Sequence, residues 1–137
     1  MSDAPIPKPT DAELEILQVL WQHGPVTVRV VNEQLNQKRE VGYTTTLKWM
    51  QLMLEKGLVV RDDEQWPHVY RAAVREEETQ GHLLTRLAES AFGGSALKLV
   101  LRALGMGQNT REELDQIKAL LNDIEPSNPS PADDERA

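Results

Sequence analysis

The order of local signals constrains the fold of this chain more than any single segment does. Three short helix patterns are followed by two short strand patterns, and after those only helices are indicated. The first helix is predicted to begin at Thr10, which has capping-box spacing to Glu13. Thr27 is expected to start the second helix, and residues 43–56 form the third, which ends before Gly57.

Two strand-like segments follow the third helix. Residues 58–61 and 68–72 are rich in β-branched and aromatic residues, and the polar loop 62–67 separates them. Three helices followed by a two-stranded ribbon are typical of a winged helix-turn-helix. We therefore predict a mainly α chain in which residues 8–74 form a winged helix-turn-helix DNA-binding domain with a two-stranded wing.

From Glu76 onward, the sequence predicts three helices that each carry one apolar stripe, and Ser95 and Thr110 are expected to cap the second and third. Isolated helices of about 12–15 residues are marginal in water, so these stripes need a partner. We predict that residues 75–125 form a helical dimerisation domain of a homodimer. The alternative is a monomer in which the stripes pack on the chain's own N-terminal domain. The expected interface residues are Leu84, Leu87, Leu97, Val100, Leu101, Leu104, Leu114, Ile117 and Leu121.

The chain ends and the composition narrow the possible locations and the possible kinds of site in this protein. Residues 126–137 are Pro-rich and acidic and are predicted to be a disordered tail. No apolar run approaches the roughly 18–20 residues that span a bilayer, and the N-terminus has no signal-peptide pattern, so we expect a cytoplasmic protein without a membrane partner. The chain contains no cysteine, which excludes disulfides, thiolate metal sites and cysteine nucleophiles.

The formal net charge of −7 at first argues against a nucleic-acid partner. The charge is unevenly distributed, however. Residues 26–61 contain six basic and three acidic residues, whereas residues 76–125 contain five basic and nine acidic ones. A basic excess on the segment with the second and third helices is compatible with DNA binding.

The third helix divides into two faces at 100° per residue. Thr46, Met50 and Met53 share one face, which is expected to dock on the first helix. The opposite face is polar and would suit a recognition helix, because short polar side chains near a helix N-terminus can meet base edges in the major groove. A solvated polar face without a DNA role is the alternative. The candidate DNA-reading residues are Thr44, Thr45, Lys48 and Gln51.

Basic residues outside this face are candidates for phosphate contacts, which fix the register of a protein on DNA. They are Arg29, Lys38, Arg39, Arg61 and Arg71. The tip of the wing, residues 62–64, is acidic and would repel a phosphate backbone. Trp66 and His68 are therefore better candidates for a wing contact, and the alternative for Trp66 is packing beneath the wing.

No motif for catalysis is recognisable. The three histidines, His23, His68 and His82, fall in different predicted elements without metal-ligand spacing, and no glycine-rich loop follows a strand. We expect no enzyme activity, no metal and no cofactor. A winged-helix protein-interaction module without sequence-specific DNA binding remains the alternative to a DNA-binding protein.

Several separated segments resemble the penicillinase-repressor family (BlaI/MecI, with the copper-responsive CopY proteins as relatives). They are PTDAELEILQVLW, GPVTVRVV, GYTTTLKWMQLMLEKGLV, YRAAV, FGGSALKLVLRAL and TREELDQIKALLN, and the resemblance extends over about residues 8–124. The resemblance implies a dimeric transcriptional repressor that binds a palindromic operator. It also implies control of β-lactam-response genes or of a membrane-protease sensor gene, with Thr44, Thr45 and Lys48 in the recognition helix.

Three departures from the family pattern affect what the resemblance implies. Gln51 and Leu52 stand where the family often has basic residues. The resemblance implies a regulatory protease as a partner, but the chain has no Asn-Phe bond of the kind cleaved in the family, and the aligned position is close to Arg102-Ala103. Copper sensing through a cysteine cluster is excluded because there is no cysteine.

Overall fold

The computed structural model describes residues 8–124, so the predicted tail 126–137 lies outside the described residues. The chain divides into two compact units, the first ending at Leu87 and the second beginning at Ala88. The elements in chain order are α1 (Asp11–His23), β1 (Val26–Thr27), α2 (Val28–Asn36), α3 (Tyr43–Lys56), β2 (Val59–Asp62), β3 (Val69–Ala72), α4 (Glu76–Ala91), α5 (Ala96–Gly105) and α6 (Arg111–Asp123). None of the described helices is long and apolar enough to cross a membrane.

The helix ends follow from local chemistry. At the start of α1, the Glu13 amide donates to Thr10 Oγ1 at 3.2 Å and the Thr10 amide donates to Glu13 Oε1 at 2.9 Å, which confirms the predicted capping box. Thr110 forms the same motif at α6, and Ser95 caps α5. Gly57 ends α3 at a φ of 82°, a left-handed conformation that favours glycine.

The antiparallel pair of β2 and β3 confirms the predicted two-stranded wing, and a third strand, β1, which we did not predict, joins the same sheet. β3 lies between β1 and β2 and pairs antiparallel with both. Val26 of β1 lies opposite Tyr70 of β3. The two residues of β1 are too few to show an alternating pattern in the sequence, and their pairing depends on a strand more than 40 residues further along the chain.

The core of the first unit lies among α1, α2, α3 and the sheet. Its fully buried side chains include Ile16, Leu17, Val31, Met50, Met53, Leu58 and Val59. Thr46 is also fully buried, as its predicted position beside Met50 and Met53 requires. We expected this face of α3 to dock on α1; it also packs on α2, where Asn32 Nδ2 donates to Thr46 Oγ1 at 2.9 Å.

The segment between the sheet and α4 is tied to α1. Trp21 Nε1 donates to the carbonyl of Val74 at 3.0 Å. Thr79, in the first turns of α4, is buried as well. The first unit therefore includes most of α4.

The second unit begins near the end of α4 and contains α5 and α6. No residue of α5 or α6 is buried. Their large apolar side chains remain exposed, among them Leu97 at 66%, Leu101 at 60% and Leu121 at 65%. Monomeric soluble proteins rarely leave an apolar stripe exposed to this extent.

Candidate DNA interface

The polar face of α3 is open to solvent. Thr44, Thr45, Lys48 and Gln51 are all exposed, whereas Thr46, Met50 and Met53 on the opposite side are fully buried. Within the described part of the chain, Lys48 has no ion pair or hydrogen-bond partner for its ammonium group. The structure therefore places all four candidate DNA-reading side chains on one solvated face, with donors and acceptors available to a ligand.

The turn that leads into α3 is held by two asparagines of α2. Asn36 Oδ1 accepts from the Val41 amide at 3.1 Å, and Asn36 Nδ2 donates to the Val41 carbonyl at 2.9 Å. Asn32 Nδ2 donates to the same carbonyl at 3.0 Å and to Thr46 Oγ1. These bonds orient the first turn of α3, where the candidate reading residues begin. We did not predict these bonds from the sequence, although the spacing of four residues between the two asparagines puts them on one face of α2.

A cleft of about 690 Å³ separates the wing from α2 and α3. Arg29 of α2, Tyr43 at the start of α3, and Trp66 and His68 of the wing all line it. The Arg29 side chain is 82% exposed and lies 3.9 Å from Glu33. Arg29, a predicted phosphate contact, and the wing therefore lie on the same cleft as the N-terminus of the predicted recognition helix.

Trp66 does not pack beneath the wing, so that alternative was wrong. Its side chain is 84% exposed, and its contact is an edge-on one with the His68 ring, at 4.9 Å between centroids and 89° between planes. The ring is therefore accessible to a partner from the solvent side of the wing. The sequence did not reveal this exposure, because it depends on the path of the loop.

The tip of the wing is ordered by its own acidic residues. Asp62 accepts from Gln65 Nε2 at 2.7 Å and from the Glu64 amide at 3.0 Å, and these bonds lower the pKa of Asp62. Arg61, a predicted phosphate contact, is instead paired with Asp63. That pairing, with a smaller contribution from Tyr70, raises the pKa of Arg61.

The other predicted phosphate contacts lie in different surroundings. Arg39 is paired with Glu15 of α1, and its guanidinium carbon lies 5.8 Å from the centroid of the Trp49 ring. Lys38 is exposed in the turn before α3. Arg71 is exposed on β3 and lines a depression with Val60 and Pro25, away from the cleft of Arg29. Arg39 and Arg61 therefore form close ion pairs with carboxylates of the same chain. Arg29, Lys38 and Arg71 have no close ion pair among the described residues.

Titratable groups outside this surface form no metal site in the described residues. No group of three or more histidine, aspartate or glutamate side chains is arranged to hold an ion there.

The sequence that forms this surface matches a known protein family. The family model described as "Penicillinase repressor" matches residues 9–123, which include parts of both compact units. The chain belongs to the penicillinase repressor family. The match confirms the resemblance seen in the sequence, and the family is one of transcriptional regulators.

Curated relatives of this penicillinase repressor family member are similar over most of their length. The transcriptional regulator BlaI of Mycobacterium tuberculosis is 29% identical over 84% of this chain and 83% of its own. The penicillinase repressor of Bacillus licheniformis is 25% identical over 86% of this chain and 92% of its own. The penicillinase repressor of Staphylococcus aureus is 19% identical over 82% of this chain and 90% of its own. A solution structure of monomeric BlaI from Bacillus licheniformis with the blaP half-operator is 26% identical and has a TM-score of 0.48, over 54% of this chain and 90% of that one.

Proposed function

We propose that this protein is a transcriptional repressor that binds double-stranded operator DNA as a homodimer, with α3 as the reading helix. The observation that carries the DNA-binding part is the solvated row of Thr44, Thr45, Lys48 and Gln51 opposite the fully buried face of α3. Threonine and glutamine can hydrogen-bond to base edges, and lysine can reach guanine or phosphate. Membership of a family of transcriptional regulators supports the same role.

The local electrostatics support this role in a chain whose net charge is −7. Lys48, Arg29 and Lys38 lie on or beside α3 and are exposed. The acidic tip of the wing is partly neutralised by Arg61. Phosphate contacts from the exposed cations would supply affinity and register, and the α3 side chains would supply sequence discrimination.

Exposed apolar stripes support the homodimer. A single chain leaves Leu97, Leu101 and Leu121 more than half exposed, and an identical chain related by a two-fold axis is the simplest cover for such stripes. Two reading helices related by that axis would meet two half-sites about 34–36 Å apart, or a multiple of this distance, so the operator would be palindromic.

The proposed targets are β-lactam-response genes, and two relatives carry the name penicillinase repressor. In a strain that lacks this protein, transcripts of the target genes should rise without any inducer. Unchanged transcript levels across the genome would contradict a repressor role.

A gel-shift titration of the full chain on promoter DNA from its own gene tests DNA binding. The affinity should fall steeply between low and moderate salt, with a log–log slope of about −0.9 per phosphate contacted. Unlabelled DNA of unrelated sequence should compete poorly. A protein-interaction module would instead give no salt-sensitive shift on any palindromic promoter fragment.

A further inference from the structure

A second concave site lies within the first unit, on the far end of α3 from the reading row. It has a volume of about 200 Å³ and is partly open to solvent. Its apolar lining includes Pro9, Leu58, Val74 and Leu83. An apolar cavity of about 150 Å³ is enough for benzene, so this one has room for a single ring or a short aliphatic chain.

The rim of this cavity is positively charged although the chain as a whole is acidic. Lys8, Arg75 and Arg86 line it, with His82 beside them and Glu78 as the one carboxylate. Across the residues that the structure describes, none of the three cations has an ion pair. Three unpaired cations around an apolar floor complement a ligand that has an apolar body and an anionic head.

The walls of the cavity are held by long-range hydrogen bonds. The Ala73 amide donates to the Leu58 carbonyl at 2.9 Å, and the Val74 carbonyl accepts from Trp21 Nε1 at 3.0 Å. Leu58 directly follows Gly57, the residue that ends α3. The cavity therefore borders the hydrophobic core at Leu58 and Val74, next to the end of α3, and its floor is held in place by these bonds.

We propose that this cavity binds a small amphipathic carboxylate, with its ring or chain on Leu58, Val74 and Leu83 and its carboxylate at Arg75 and Arg86. Lys8 adds charge at the same rim. The proposal does not depend on DNA binding, because every group that it uses lies away from the polar face of α3.

Calorimetric titration of the full chain with benzoate and hexanoate tests the charge requirement. Both should bind, and benzamide, which has the same ring without the charge, should bind about tenfold more weakly or worse. Arg75→Gln and Arg86→Gln should each lower the affinity for benzoate about tenfold. Arg111→Gln is the matched control, since Arg111 is exposed on α6 and does not line the cavity.

The indole signals of the tryptophans locate the ligand. In a proton–nitrogen correlation spectrum, the N–H signal of Trp21 should shift during the benzoate titration because its acceptor, Val74, lines the cavity. The signal of Trp66, on the wing, should stay in place. The proposal is overturned if neither carboxylate binds, if benzamide binds as well as benzoate, or if Trp66 shifts and Trp21 does not.

Discussion

The ammonium nitrogen of Lys56, in the last turn of α3, lies 2.7 Å from Oε2 of Glu13, in the first turn of α1. Glu13 is 3% exposed, and its other carboxylate oxygen accepts the capping bond from the Thr10 amide. One buried carboxylate thus caps α1 and fastens the C-terminal end of the proposed reading helix to it.

This relationship predicts a loss of stability in acid. Burial alone would raise the pKa of Glu13, but the hydrogen bonds from Lys56 and Thr10 outweigh it and lower the pKa below its ordinary value of 4.5. A lowered folded-state pKa adds stability above the unfolded-state value, and that stability is lost as the pH falls through the folded-state value. The free energy of unfolding in urea should therefore decrease below about pH 4.5.

Lys56→Met tests the same pair at neutral pH. It leaves the Glu13 carboxylate buried without its cation and should cost about 1–3 kcal/mol of unfolding free energy. It should also reduce the acid-induced loss, because the pKa of Glu13 would no longer be held down. Lys48→Met on the exposed face of α3 is the matched control and should change stability little. Equal effects of the two variants would show that the pair does not stabilise the fold.

Thr46→Val should destabilise the protein without removing any candidate DNA contact. Thr46 is fully buried, and its hydroxyl oxygen accepts a hydrogen bond from Asn32 Nδ2. Valine has no hydroxyl, so one N–H of the Asn32 amide would lose its acceptor. The expected cost is about 1–3 kcal/mol in chemical denaturation. Thr45→Val, one position away and exposed, should leave stability nearly unchanged and weaken operator binding. The reverse pattern would mean that the two faces of α3 have been assigned wrongly.

Lys48→Ala should weaken operator binding by about 1–3 kcal/mol if Lys48 reads a base, and the preference for the operator over unrelated DNA should then shrink. If Lys48 contacts a phosphate, binding should weaken equally on all sequences and the salt slope should fall by about 1. Fluorescence anisotropy on operator and scrambled duplexes separates these outcomes. Lys98→Ala on α5 is the control, and an affinity equal to that of the control would remove Lys48 from the interface.

Trp66→Ala should reduce DNA affinity while the melting temperature stays the same. The Trp66 ring is 84% exposed and lines the cleft next to Arg29 and Tyr43, so truncating it removes little packing within the chain. Paired measurements of thermal unfolding and DNA binding check this. A large drop in melting temperature would instead assign the ring a structural role.

Leu101→Asp should convert the proposed dimer into monomers, since it places a charge in the middle of an exposed apolar stripe. Sedimentation velocity measures the change, and circular dichroism checks that the helices remain. Arg102→Asp introduces the same charge on the polar side of α5 and should leave the dimer intact. A folded Leu101→Asp protein that still sediments as a dimer would place the interface elsewhere.

The positions of the helix ends and the two faces of α3 could be predicted from the sequence because both depend on nearby residues. A capping box such as Thr10 with Glu13 lies within one turn, and the burial of Thr46, Met50 and Met53 follows from helical periodicity. The family could be recognised in the same way, since its segments occur in order along the chain.

Only the tertiary structure decided which partners distant residues find. Three interactions join elements that are separate in the sequence. They are the pairing of β1 with β3, the hydrogen bond from Asn32 to Thr46, and the ion pair of Arg39 with Glu15. The exposure of Trp66 and the cationic cavity near Arg86 have the same origin. Local propensity describes what a segment can form, whereas burial and charge pairing depend on what the folded chain brings against it.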